Sequence, residues 1–206
     1  MSLLATDTGG GDFKKVPEGA HIAVCNQIID LGMQVHEYEG KRQMQHKCYV
    51  RWEVPGQRLT WTDKDKVEHE GPMTIGKTYT VSLHKKSKMR EDFGNWRGRA
   101  FTDAEAIEGL AIRNMLGKAC QLSVQYKTSR DGQHQWAAVT AIMPLPEGIE
   151  APNPENDLFY YDNESGNYDD LPKWAKEKIH PPFAGSTERT GGMAPVEDAF
   201  DDDIPF

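Results

Sequence analysis

The sequence predicts a mainly β domain interrupted by one short helix and followed by a Pro-rich acidic tail, on three observations. Apolar and polar residues alternate with period two in several segments of residues 1–144, a capping-box signature falls once between them, and charge and proline content change after residue 144. Residues 145–206 hold 15 Asp and Glu against 4 Lys and Arg, a balance of −11, which taken from the whole-chain −8 leaves +3 for residues 1–144. A mildly basic body is therefore joined to a strongly acidic tail. This asymmetry is expected when one part meets a polyanion and the other must stay off it or meet a different partner.

Residues 1–12, with the Gly-rich "DTGGGD", are expected to be flexible. In "GAHIAVCNQIIDLGMQ", Ile22, Val24 and Ile28 recur in the rough alternation of a half-buried strand. "HKCYVRWEV" places Lys47, Tyr49, Arg51 and Glu53 on one face and Cys48, Val50, Trp52 and Val54 on the other. "EYEGKRQ" supplies a turn between them, giving an antiparallel hairpin. A third strand is read from "GKTYTVSLHKKS", where Tyr79, Val81 and Leu83 alternate with polar residues. "FTDAEAIEGL" then offers Thr102 as N-cap, Glu105 three residues on and Asp103 at the helix N-terminus, with Gly117 closing the region. "ACQLSVQYKTSRDGQHQWAAVTAIMPL" reads as two strands around an Asp131-Gly132 turn. Three strands, one helix and two strands over residues 13–144 is the element order of the OB-fold, a five-stranded barrel with its helix between strands three and four. A small open sheet with one covering helix has the same order.

From Pro144 onward the chain holds 9 of its 12 prolines and few β-branched residues, so residues 145–200 are expected to form a disordered linker. The exception is "LPKWAKEKI", where Leu171, Trp174, Lys178 and Ile179 share one helical face, as a transient helix or docking motif would. Cys25, Cys48 and Cys120 are odd in number and far apart, the pattern of reduced core thiols in a cytoplasmic protein. No apolar h-region or run near 18 apolar residues suggests export or membrane spanning.

Three motifs compete as the site. "GPMTIGKT", Gly71 to Thr78, fits the phosphate-loop pattern GxxxxGK[ST], but such a loop follows a buried strand and opens a helix. Here the preceding "DKDKVEHE" is charged and the following "YTVSL" is strand-like, so Gly76-Lys77 reads as a turn into strand three. His36, His46 and Cys48 have no zinc spacing, and no metal or cofactor is expected. "HKKSKMREDFGNWRGRAF" combines Lys85, Lys86, Lys88, Arg90, Arg97 and Arg99 with Phe93, Trp96 and Phe101. Cations for phosphates and flat rings for bases are what single-stranded nucleic acid requires. At least one of these rings is also expected in the core. Tyr49 and Arg51 face outward by parity, and Tyr126, Lys127 and Arg130 add a second basic-aromatic group near the last hairpin; Trp61 is a further candidate, whereas Trp52 and Trp136 read as core. No Ser–His–Asp or Cys–His set can be built from spacing, so the chain is not expected to be an enzyme.

A basic OB domain, a Pro-rich linker and the terminal "DDDIPF" together resemble the bacterial single-stranded DNA-binding proteins, whose tails end in nearly this hexapeptide. The segment "SLHKKSKMREDFGNWRGRAFT" is similar to a pattern in phage replication and recombination proteins, which implies a phage-encoded member acting in the host cytoplasm. The resemblance implies that Phe206 and Ile204 anchor in an apolar pocket of a partner enzyme, that Asp201, Asp202 and Asp203 meet its basic rim, and that Pro205 lowers the entropy lost on docking. It implies replication, recombination or repair proteins as partners, single-stranded DNA as ligand, and a possible homo-oligomer. An adaptor that mimics such a tail while its body binds protein is the rival reading, and RNA binding is a third.

Overall fold

The computed structural model describes residues 14–38 and 41–179. It is mainly β and OB-like. Strands β1 (Gly19–Tyr38), β2 (Lys41–Thr62), β3 (Glu68–Thr80), β4 (Ala119–Thr128) and β5 (Gln135–Met143) form one antiparallel sheet in the order β3-β2-β1-β4-β5, curled into a half-barrel. The first hairpin is as expected, with Tyr38 opposite Lys41 and Cys48, Val50, Trp52 and Val54 buried in the core. The Asp131-Gly132 turn also joins β4 to β5, and Gly132 takes a left-handed φ of 72°.

Strand three starts earlier than its alternation suggested. "GPMTIGKT" lies wholly inside β3, so Gly76 and Lys77 are mid-strand and not a turn, and no helix follows to cradle a phosphate. Gly76 is where the Tyr49 ring crosses the sheet, and a Cβ there would collide with it. Val81 and Leu83 follow the strand and pack against the core.

Between β3 and β4 the structure has two α-helices and a short 3-10 helix (Ile112–Met115) where the sequence suggested one helix. Helix α2 (Asp103–Glu108) has the expected capping box, Thr102 and Glu105 satisfying each other's backbone N–H groups. Helix α1 (Lys88–Trp96) occupies the basic-aromatic stretch. Met89, Phe93 and Trp96 recur at i, i+4 and i+7, an apolar stripe that faces inward, and all three are buried. The stripe fills the open side of the half-barrel. The Phe93 ring meets Tyr79 edge-on at 5.5 Å, and Trp96 lies 5.6 Å from Trp52.

A buried polar junction fixes that contact. Lys77 Nζ of β3 donates to Asp92 Oδ2 of α1 at 3.1 Å and to the Val139 carbonyl of β5 at 3.2 Å, while the Tyr79 hydroxyl donates to the same Oδ2 at 2.9 Å. The Lys88 ammonium lies 3.2 Å from Asp92 Oδ1. Burial, reinforced by the Asp92 charge, pushes the Tyr79 phenol well above its ordinary pKa, so it stays a donor.

The acidic segment after β5 is folded as far as Ile179, which corrects the linker expectation over residues 145–179. β1 leaves β4 at Val24, and its freed edge over Gln27–Ile29 takes a parallel strand, β6 (Phe159–Tyr161). Helix α3 (Lys173–Lys178) covers the outer face of the sheet, where Tyr161, Leu171, Ala175 and Ile179 close a second apolar cluster over Ile29 and Leu31. The helical reading of residues 171–179 therefore holds. Aromatic residues 159–161 and the apolar side chains of 171–179 supply the burial that proline content alone argued against. Residues 180–206, including the tip at 201–206, lie outside the described residues, as do 1–13. The three cysteines are buried and unpaired, burial pushing the Cys25 thiol up to about 12. No helix among the described residues is long and apolar enough to cross a membrane.

Asp92→Ala leaves the Lys77 charge buried without its partner, and is expected to destabilise the fold by about 3–5 kcal/mol. The double variant Lys77→Met, Asp92→Leu is expected to recover much of that loss. Urea unfolding of the three chains measures both.

Candidate nucleic-acid interface

The stretch 84–101 presents less to solvent than its composition suggests. Phe93, Trp96 and Phe101 are all buried, so base stacking on Phe93 and Trp96 is corrected to core packing. Arg90 is a clamp: its guanidinium donates to the Leu83 and Phe101 carbonyls and to Asp103, tying the start of α1 to the start of α2. Arg97 lies over the Phe101 ring at 4.2 Å, and both Arg97 and Arg99 donate to Glu105 Oε1 at 2.7 Å. Those bonds, with the Thr102 backbone N–H, hold the Glu105 carboxyl far below its usual range. Lys85 pairs with Asp103 at 3.1 Å, and Lys88 with Glu91 and Asp92 at 3.2 Å each. Five of the six cations in the stretch are thus matched by carboxylates of α1 and α2. Lys85 and Arg99 keep 70% and 62% of their side chains exposed, and exposed pairs of this kind hold their partners weakly. Lys86 is also exposed.

Tyr49 and Arg51 do lie on the outer face of β2, as parity predicts, but α3 covers part of that face. The Trp174 ring of α3 meets Tyr49 edge-on at 4.7 Å. Two residues beyond Arg51, the fully buried Glu53 accepts the backbone N–H groups of Glu155 and Asn156 at 2.6 and 3.0 Å and the Asn156 side-chain amide at 2.6 Å. Glu53 is therefore the point at which the folded acidic segment is fastened to the sheet. The alternation in "HKCYVRWEV" puts Glu53 on the outer face, but nothing in the sequence marks residues 155–156 as its partners.

The β4–β5 hairpin retains the features expected of it. Tyr126 is half-buried with the Lys15 ammonium 5.8 Å from its ring centre. Lys127 stands directly opposite Trp136 in the ladder, so the two share a face. Ala137 packs on the core, which puts its neighbour Trp136 on the outer surface, half-exposed and not in the core as its sequence context suggested. Arg130 is exposed in the turn. Among the described residues, Glu18 accepts the Tyr126 backbone N–H, and Asp131 accepts from Ser129 and the Gln133 backbone N–H.

Trp61 is 48% exposed and lies nearly parallel to the His69 ring directly opposite, at 5.6 Å, with His69 Nε2 2.7 Å from Asp63 Oδ2. Its hairpin holds Asp63, Asp65, Glu68 and Glu70 against Arg58, Lys64 and Lys66, so it offers no net positive field to a polyanion. Among the described residues no cluster of His, Cys, Asp or Glu is arranged to hold a metal ion. No family model matches this chain, and no curated protein does.

Glu53→Gln removes the charge that accepts three N–H donors while keeping the side-chain volume. It is expected to destabilise the fold by about 1.5–3 kcal/mol and to speed amide hydrogen exchange over residues 155–179 more than over α1. Exchange followed by mass spectrometry checks this.

Proposed function

We propose that this protein is a non-enzymatic binder of single-stranded DNA, without strong sequence preference, that recruits replication, recombination or repair proteins through its C-terminal tip. The observation that carries the reading is the β4–β5 hairpin of an OB-like sheet, which brings the rings of Tyr126 and Trp136 together with the exposed Arg130 and with Lys15 and Lys127. OB-folds bind oligonucleotides with the face of strands two and three and with the loops between strands one and two and between strands four and five. Cations there neutralise phosphates, and the two rings offer surfaces for bases.

The tip supports the second half. Asp201, Asp202, Asp203, Ile204, Pro205 and Phe206 resemble the partner-binding end of the bacterial single-stranded DNA-binding proteins. Its acidity would also compete with DNA for the basic surface. A phage-encoded protein acting in a bacterial cytoplasm, without cofactor, fits this description. The adaptor reading gains from the internal pairing of the 84–101 cations, which removes one DNA-binding surface.

Titration with oligo-dT, followed by tryptophan quenching at two salt concentrations, tests the proposal. Affinity is expected to fall with salt by about 0.7 log per log for each phosphate contacted. Trp136→Ala is expected to cost about 1–3 kcal/mol. A chain ending at Ile179, which loses six carboxylates and one arginine, is expected to bind more tightly. No binding by either chain length supports the adaptor instead.

A further inference from the structure

Three of the described arginines are half-buried, and two of them, Arg90 and Arg97, are paired with carboxylates. Arg51 is the exception. Its Nε donates to Asn26 Oδ1 at 3.3 Å, and no carboxylate among the described residues lies within ion-pair distance of its guanidinium. The nearest acidic neighbour along the strand, Glu53, is spent on residues 155 and 156. Burial lowers the Arg51 pKa, the sign of a desolvated charge, with Tyr49 and Glu53 opposing that shift less strongly. An arginine nevertheless stays protonated, so the cost of its desolvation persists until an anion meets it.

The surroundings are arranged around the same missing partner. Accepting from Nε fixes the orientation of the Asn26 amide, and its Nδ2, fully buried, then has no acceptor. On the other side of Arg51 in the sheet stands Gly76, and the space over it is filled by the Tyr49 ring. Tyr49, braced by Trp174, walls the site at one end. With Nε engaged, the two Nη groups form the free side of a planar fork, whose geometry suits two oxygens of one phosphate.

We propose that Arg51 is the anchor for a phosphate group at the border of α3, and that in the protein's work this group is a phosphodiester of a bound single strand. The proposal deepens the single-strand reading and rests on it. Contacts at the β4–β5 hairpin would then be joined by one at the sheet face, beside the segment fastened by Glu53.

The test uses the full chain, with Arg51→Gln and Arg51→Lys, titrated with oligo-dT over a salt series and melted with and without inorganic phosphate. The expected result is at least about a tenfold loss of oligo-dT affinity in Arg51→Gln, with the salt slope reduced by about 0.7. Arg51→Lys is expected to keep the slope and lose part of the affinity, because the charge remains and the fork does not. Wild-type binding with unchanged affinity and slope in both variants overturns the site and leaves the single-strand reading standing. If Arg51→Gln does not fold, Arg51→Lys decides, and full wild-type affinity in it overturns the site. If the wild type binds no oligo-dT but inorganic phosphate raises its Tm and not that of Arg51→Gln, the anion site stands with a free phosphate as its ligand and the single-strand reading fails. No response to either probe overturns both.

Discussion

Asp92 is the residue on which the architecture turns. Its carboxylate, buried at the centre of α1, receives Lys77 and Tyr79 from β3, and Lys77 reaches on to a β5 carbonyl. The two outer strands of the sheet are not neighbours in the ladder order, so this side-chain junction and the apolar stripe of α1 hold them over a common core. A buried ion pair adds little net stability over an apolar replacement, but a broken one is costly. Its effect is to fix one register of α1 against β3 and β5, because only one position of the helix presents a carboxylate to both donors.

The same economy of charge shapes the surface. Carboxylates of α1 and α2 neutralise the cations of residues 84–101, and Glu53 fastens an acidic segment across the outer face of β1 and β2. The proposed DNA contact therefore draws on the β4–β5 hairpin and on Arg51, which has no carboxylate partner among the described residues. Arg51 has ladder partners on both sides, and the hairpin is held by the β4–β5 ladder and its tight turn, which suits a preorganised contact.

The strands were legible because one face of each is buried, and burial with period two leaves a direct trace in residue order. Helix α2 was legible through its capping box, a local device. Helix α1 was hidden by its own composition: six cations, two glycines and three aromatics in residues 84–101 read as a ligand-binding loop, although Met89, Phe93 and Trp96 already carried the helical period. The folding of residues 155–179 was not legible from local pattern. It depends on Glu53 meeting residues about a hundred positions later and on the edge of β1 freed beyond Val24, both long-range facts. Of the candidate site, Arg130 is exposed and Tyr126 and Lys127 are half-buried beside the hairpin turn, while Trp136 changed sides because the parity of β5 is set by its pairing with β4.

Hydrogen exchange on the full chain, with and without saturating oligo-dT, tests the account most directly. It predicts new protection over residues 124–137 and around Arg51 in β2, with α1 unchanged. Protection confined to residues 84–101, or none anywhere, would contradict it.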